Sequence, residues 1–246
     1  MGLVREGALD ADLAALLWLL LDGGLPLVVT GGTPERRAAM LTALEELPAS
    51  AGRDADSERQ VAHIGPNGLW GSLLRARIAS LRPADRFRAT AEAGSLRELM
   101  QWLESPEIGL ADEEIRALGL VVVLDADGRM SAAHLLRPVE RDGAGHLQRR
   151  PPAVLVSRDP RDSTLEHFSW AVTSELADRV DRSQADFEAR QADRARLIDH
   201  LTTHPEVAAD RMGLETHLAT EPPRQPAPER PAARPPWPAP EGHRPH

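Results

Sequence analysis

The stretch that decides the fold of this chain is LPLVVTGGTPERRAAMLTALEEL, which runs from Leu25 to Leu47. The apolar run from Leu25 to Val29 predicts a buried strand, and Gly31-Gly32 predicts a turn directly after it. Apolar residues then recur at three- and four-residue spacing from Met40 onward, which predicts a helix. Strand, glycine turn and helix in this order form the framework of a phosphate-binding loop, in which backbone amides and the helix N-terminus hold the anion.

The side chains that such a loop uses are replaced in this stretch. When the pattern G-x-x-x-x-G-K-[ST] is counted from Gly31, the second glycine falls on Arg36, the lysine on Arg37 and the hydroxyl on Ala38. Arg36 adds a side chain where the backbone approaches phosphate. Arg37 has a planar guanidinium group in place of the compact ammonium of lysine. Ala38 has no side-chain oxygen to bind Mg²⁺. An ordinary turn between a strand and a basic helix is the alternative interpretation. The candidate nucleotide-binding set is Gly31, Gly32, Thr33, Arg36, Arg37 and Ala38.

Length and composition limit the classes of protein that this chain can belong to. At 246 residues it suits one α/β domain with appendages. A net charge of -9 argues against a general nucleic-acid binder, and all 29 residues counted as lysine or arginine are arginine, so no lysine elsewhere can replace the missing one. Without cysteine there is no disulfide, thiolate zinc site or thiol nucleophile. The charged N-terminus does not resemble a signal peptide, and we expect a cytoplasmic protein.

A leucine-rich helix is predicted to precede the glycine turn. The apolar run from Leu13 to Leu21 follows Asp10, a good N-cap, and ends at Gly23-Gly24. It is shorter than the roughly 20 residues that cross a bilayer. Because the run is apolar on all sides, we expect the helix to pack across the sheet or against a neighbouring subunit.

The middle of the chain alternates between helices and strands. Strands are predicted at 59–64, 86–91, 119–125, 154–157 and 165–171, and helices at 69–81, from Ser95 in a capping box with Glu98, and at 111–118. The order predicts an α/β fold with a mostly parallel sheet and an antiparallel extension. Beyond this region we predict charged helices at 177–220 and a Pro-rich, disordered tail at 221–246.

Three stretches resemble the hexameric ATPases of type II and type IV secretion and of type IV pilus assembly. GALDADLAALLWLLLDGGLPLVVTGGTPERRAAMLTALEELP is similar to the helix, strand and Walker A region of that family. ATAEAGSLRELMQWLESPEIGLADEEIRALGLVVVLD resembles its histidine-box region, and the strands from Met130 to Trp170 fit its C-terminal strand ladder. The resemblance covers Ala8 to Leu176, with a shortened middle, and implies a RecA-like P-loop domain at residues 1–176.

The resemblance also implies that the family's chemistry has been lost. The histidine-box position falls on Glu92, whose charge would repel phosphate. The family uses further carboxylates to hold Mg²⁺ and orient the attacking water, but Asp85, in a Pro-Ala-Asp-Arg turn, is the only acidic residue between Arg59 and Ala91. Losses of catalytic groups that act as a unit do not rescue one another. We therefore expect a non-hydrolysing protein.

Other candidate sites have simpler explanations. Val121 to Asp125 imitates a Walker B strand, yet the Asp-Ala-Asp-Gly run from Asp125 to Gly128 is typical of a tight turn between strands. His134, His146 and His167 could bind zinc only if the fold brought them together, since none of the pairs has a short ligand spacing. We predict neither a metal site nor catalytic residues.

The function predicted from the sequence is that of a degenerate P-loop subunit that binds or scaffolds other proteins. Its partners would be copies of itself or an active paralogous ATPase in a ring, reached through the Leu13–Leu21 helix or the strand ladder, in association with a membrane complex but without nucleic acid. ATP and Mg²⁺ are the only candidate cofactors, and neither is predicted to be used. The alternatives are a functional ATPase that uses Arg37 in place of lysine, and a regulatory α/β module unrelated to secretion.

Overall fold

The computed structural model describes residues 4, 7–45, 61–81, 86–141, 143 and 146–204. Several predictions fall outside the described residues. They concern Asp85, the polar segment that follows Leu47, the predicted helical residues 205–220 and the predicted disordered tail at 221–246. The helices are α1 (Ala11–Asp22), α2 (Pro34–Glu45), α3 (Gly71–Ala79), α4 (Leu96–Glu104), α5 (Asp112–Arg116), α6 (Thr173–Arg179) and α7 (Gln184–Thr203), with a 3-10 turn at Ser169–Val172. The strands are β1 (Leu27–Gly31), β2 (Val61–Ile64), β3 (Arg88–Ala91), β4 (Leu120–Leu124), β5 (Met130–Leu135), β6 (Glu140–Arg141), β7 (Leu147–Gln148), β8 (Ala153–Arg158) and β9 (Leu165–His167).

A seven-stranded mixed sheet forms the centre of the protein, in the order β2-β3-β1-β4-β5-β8-β9. The first four strands in this order are parallel, and β5, β8 and β9 continue the sheet in antiparallel pairs. The predicted α/β fold with an antiparallel extension is therefore confirmed. The predicted strand at 165–171 is too long, because the chain leaves the sheet after His167 and turns into the 3-10 segment.

Helices cover both faces of the sheet and create two hydrophobic cores. Side chains alternate along β1, so Leu27 and Val29 enter one core while Val28 enters the other. Helices α1, α2, α6 and α7 contribute to the first core, and α3, α4 and α5 contribute to the second. The residues of α6 and α7 thus share a core with the sheet.

Helix α1 is buried on every side from Leu13 onward. Asp10 caps it as predicted, accepting the backbone N–H of Leu13 at 2.8 Å. The residues from Leu13 to Asp22 are all buried, between the sheet and α7. Arg194 of α7 binds the carboxylate of Asp22 at 2.9 Å and lies over the ring of Trp18. The hypothesis that this helix binds a partner is wrong, because α7 of the same chain covers it.

The apolar character of α1 reflects this burial within the protein. The helix has 12 residues, fewer than a bilayer crossing requires. Across the described ranges, no helix combines the length and the apolar composition of a membrane span.

Candidate functional site

The candidate site lies at the carboxyl ends of the parallel strands. Strands β1 and β3 are neighbours, but the helix that follows β1 packs on one face of the sheet and α4, which follows β3, packs on the other. Open α/β sheets bind ligands in the crevice at such a reversal. Gly31 is the last residue of β1, and the other predicted residues follow it into this region: Gly32, Thr33, Arg36, Arg37 and Ala38.

The connection between β1 and α2 is only two residues long. Strand β1 ends at Gly31 and the helix begins at Pro34. Arg36, Arg37 and Ala38 therefore lie inside the first turns of α2, and not in a loop ahead of it. Residues that would encircle a phosphate are part of the helix instead.

The two glycines are explained by a close contact between strands. Gly31 and Gly32 have positive φ angles of 78° and 54°, which favour glycine. A Cβ atom on Gly31 would collide with the backbone oxygen of Leu124 on the neighbouring strand β4. Gly31 also donates its N–H to the carbonyl of Ala93 at 2.8 Å, which closes the crevice between β1 and β3. The hydroxyl of Thr30 donates to the same carbonyl.

The side chain of Arg37 folds back onto the turn. Its Nη1 donates to the carbonyl oxygens of Gly31 at 3.1 Å and of Gly32 at 3.0 Å, and the residue is only 3% exposed. The turn therefore directs carbonyl oxygens towards a buried guanidinium. A phosphate needs the opposite arrangement, in which N–H groups converge on the anion.

The N-terminus of α2 is occupied by a carboxylate of the chain itself. Hydrogen bonds from its own backbone N–H and from the Thr33 hydroxyl lower the pKa of the Glu35 carboxyl. Thr33 also caps the helix, since its side-chain oxygen accepts the N–H of Arg36 at 3.4 Å and its carbonyl accepts that of Arg37 at 3.0 Å. A negative group already lies where the helix dipole would favour an incoming anion.

Glu92, which the resemblance aligns with a histidine-box residue, pairs with a histidine on the neighbouring strand. His63 lies on β2 directly opposite Thr90 of β3. Its Nε2 is 2.9 Å from Oε1 of Glu92, and its Nδ1 is 3.0 Å from the hydroxyl oxygen of Thr90. An ionised carboxylate can only accept, so Nε2 is the donor in the contact with Glu92. Both nitrogens are thus engaged, and neither is available to a metal or a substrate.

His63 is a residue of the site that no sequence pattern indicated. His63 and Glu92 are far apart in the chain, and only the parallel register of β2 and β3 brings them together. Their spacing carried no signal that could have predicted the pair.

The remaining candidates are separated in the structure. Asp125 begins the predicted turn between β4 and β5, where its Oδ1 accepts the N–H of Arg129 at 2.9 Å and its carbonyl accepts that of Gly128 at 3.1 Å. His134 lies on β5, where burial lowers its pKa, while His167 lies on β9 beside Asp10. Among the residues that the structure describes, no group of three or more histidine, aspartate or glutamate side chains could hold a metal ion.

The chain was also compared with known proteins. No model of a protein family matches it, and no curated protein shows significant similarity to it.

Proposed function

We propose that this protein is a non-hydrolysing, cytoplasmic P-loop-type subunit, with a RecA-like core, that binds or scaffolds other proteins of a secretion or pilus-assembly machine. The observation that carries the proposal is the contact of the Arg37 guanidinium with the carbonyls of Gly31 and Gly32. These contacts and the resemblance of residues Ala8 to Leu176 to the secretion ATPases support the proposal.

The Arg37 guanidinium acts as a built-in ligand of the turn. In an ATPase the nucleotide would satisfy the loop and neutralise its lysine. Here a buried cation of the chain satisfies two carbonyls, so the turn keeps its conformation without nucleotide. Displacing Arg37 would leave a charge and two carbonyls without their present partners, at a free-energy cost that a weakly held phosphate does not offset.

Catalysis is disfavoured by the groups that surround this turn. Glu35 places a carboxylate at the first turn of α2, and Ala38 offers no Mg²⁺ ligand. The carboxylate of Glu92, beyond the end of β3, pairs with His63. Phosphoryl transfer depends on cations that neutralise the developing negative charge. The functional ATPase that would use Arg37 in place of lysine is therefore the less favoured hypothesis.

The surface that remains for partners lies at the antiparallel end of the sheet. Because α7 covers α1, the strand ladder is the remaining one of the two surfaces predicted to bind partners. Val154 on β8, Phe168 and Trp170 are exposed there, and Trp170 has 75% of its surface accessible. Exposed tryptophan is enriched among residues that dominate the binding energy of protein interfaces.

Nucleotide binding tests the first part of the proposal. Isothermal titration of the purified full-length chain with ATP and Mg²⁺ should give no saturable binding, and phosphate release should equal that of buffer. An intact secretion ATPase serves as the positive control. Micromolar affinity together with Mg²⁺-dependent hydrolysis, abolished by Arg37→Ala, would overturn the proposal and support the rival ATPase.

Assembly with an intact secretion ATPase from the same genome tests the second part. Native mass spectrometry of the mixture should detect complexes that contain both chains, and Trp170→Ser should reduce their yield. Leu73→Ser is the matched control, because Leu73 is also an exposed apolar side chain, 66% accessible, but lies on α3. The absence of mixed complexes, or an equal effect of both variants, would contradict the proposed partner or surface.

A further inference from the structure

Two histidines lie side by side at the end of α7. His200 belongs to the last turn of the helix, and His204 is its C-cap. Their ring centroids are 4.5 Å apart, and the ring planes are inclined by 32°. Both residues are exposed. Neither takes part in the function proposed above.

The turn that ends α7 holds the ring of His204 through its Nδ1. Nδ1 lies 3.1 Å from the carbonyl oxygen of His200, in the turn that the His204 N–H also closes at 2.9 Å. The hydroxyl oxygen of Thr203 lies 3.0 Å from the same nitrogen. When Nδ1 donates to the carbonyl, the neutral ring has its lone pair on Nε2. A hydrogen bond from the other ring nitrogen to a backbone carbonyl is the usual way in which metal-binding histidines are oriented.

We propose that His200 and His204 form a binding site for a divalent transition-metal ion of the zinc, nickel and copper class. Imidazole nitrogen is a preferred ligand of these ions. His200 lies in the last turn of the helix and His204 caps it, and their rings are in contact across this turn. Their four-residue separation is also that of the two zinc ligands in H-E-x-x-H. The pair supplies two ligands, and water completes the coordination.

A histidine near a helix C-terminus can also act only through its charge. A protonated ring there stabilises the helix dipole, but this role requires neither a second adjacent ring nor a free Nε2. Protonation and metal binding also respond oppositely to pH, since the metal requires the neutral ring. The two roles can therefore be separated by experiment.

Isothermal titration of the full-length chain with ZnCl₂ in metal-free buffer tests the site. We expect the His200–His204 pair to bind one zinc ion per chain. Loss of either ligand, in His200→Gln or His204→Gln, should weaken zinc binding at least about tenfold. The control is His146→Gln, which removes an exposed histidine elsewhere and should leave the affinity unchanged. Unchanged zinc affinity in the two α7 variants, or an equal loss in His146→Gln, would overturn the proposal.

Thermal unfolding provides a second measurement. Zinc should raise the Tm of the wild-type chain at pH 7.5, and the rise should become smaller in acidic buffer, because the metal competes with protons for the ring nitrogens. Neither α7 variant should show the rise at any pH. A zinc-dependent rise that persists in the double variant His200→Gln/His204→Gln would assign the binding to other residues.

Discussion

The imidazole of His167 binds the N-cap of the most deeply buried helix. Its Nε2 lies 2.7 Å from Oδ2 of Asp10, while the other oxygen of Asp10 accepts the N–H of Leu13. The hydrogen bond to Asp10 raises the pKa of His167, although burial opposes the change. Burial also acts to raise the pKa of Asp10, but the hydrogen bonds from His167 and Leu13 outweigh it and lower the pKa.

We expect the free energy of unfolding to decrease as the pH rises above neutral. A histidine with a raised pKa contributes stability fully below its unfolded pKa of about 6.5, and the contribution is lost as pH rises through the higher folded pKa. The pair is partly exposed, so the loss should stay below about 1 kcal/mol. Urea unfolding at a series of pH values measures it, and His167→Gln should remove this part of the pH dependence. An identical slope in wild type and variant would contradict the prediction.

The contribution of Asp10 to the free energy of unfolding should change in the acidic part of the same pH series. Because its folded pKa is lowered, its contribution is present above the unfolded value of about 3.9 and is lost as the pH falls through the folded value. Asp10→Ala removes both this contribution and the cap, which should cost about 1 kcal/mol at pH 6. Asp162→Ala is a control with a lowered pKa in an exposed turn. A similar loss of stability in both variants would argue against the role of the cap.

Arg37→Ala should destabilise the protein without changing any ATPase activity. The change removes two charge-assisted hydrogen bonds and leaves the carbonyls of Gly31 and Gly32 without this partner, at about 2 kcal/mol. Arg36→Ala is the matched control, because Arg36 is exposed and should contribute within about 0.5 kcal/mol. Denaturant unfolding compares the two variants. An equal effect of both would show that the buried contacts of Arg37 carry no stability.

Gly31→Ala should be among the most destabilising glycine substitutions. Positive φ and a collision with the Leu124 backbone act together, so we expect a loss of about 3 kcal/mol or more. At Gly7 the φ angle is also positive, 69°, but no atom lies within 4 Å of the added carbon. Gly7→Ala should therefore cost only about 1 kcal/mol. Thermal unfolding of the two variants separates backbone strain from the collision.

Loss of one partner of the buried ion pair between α1 and α7 should lower the free energy of unfolding. Arg194→Met leaves Asp22 buried without this cation and should cost about 3 to 5 kcal/mol. Adding Asp22→Leu to Arg194→Met removes the second charge and should recover part of that loss, because apolar residues replace many buried pairs at little cost. A double variant less stable than Arg194→Met alone would contradict this account.

Features that depend on neighbouring residues could be predicted from the sequence, whereas contacts between distant residues could not. The apolar run at β1, the cap of α1 at Asp10 and the turn at Asp125 depend on neighbouring residues, and the structure confirms each of them. The capping interaction of Ser95 with the N–H of Glu98 is likewise present.

The contacts that define the candidate site could not be predicted in this way. The pairing of His63 with Glu92 depends on the register of two strands, and the burial of Arg37 depends on where α2 begins. The cover over α1 depends on Phe187 and Ile198, which are distant in sequence. Such contacts have no local signature, so the apolar surface of α1 was open to interpretation as a subunit interface.

The cover that α7 provides also has a consequence for synthesis. A ribosome releases the leucine-rich α1 early, while the helix that shields it emerges only after every strand of the sheet. Until α7 is synthesised, the nascent chain therefore exposes apolar side chains of α1 that α7 buries in the native protein. Chaperones bind exposed apolar segments of this kind. Truncated products that stop before Gln184 should aggregate, and production of the protein should depend on completing the chain through α7.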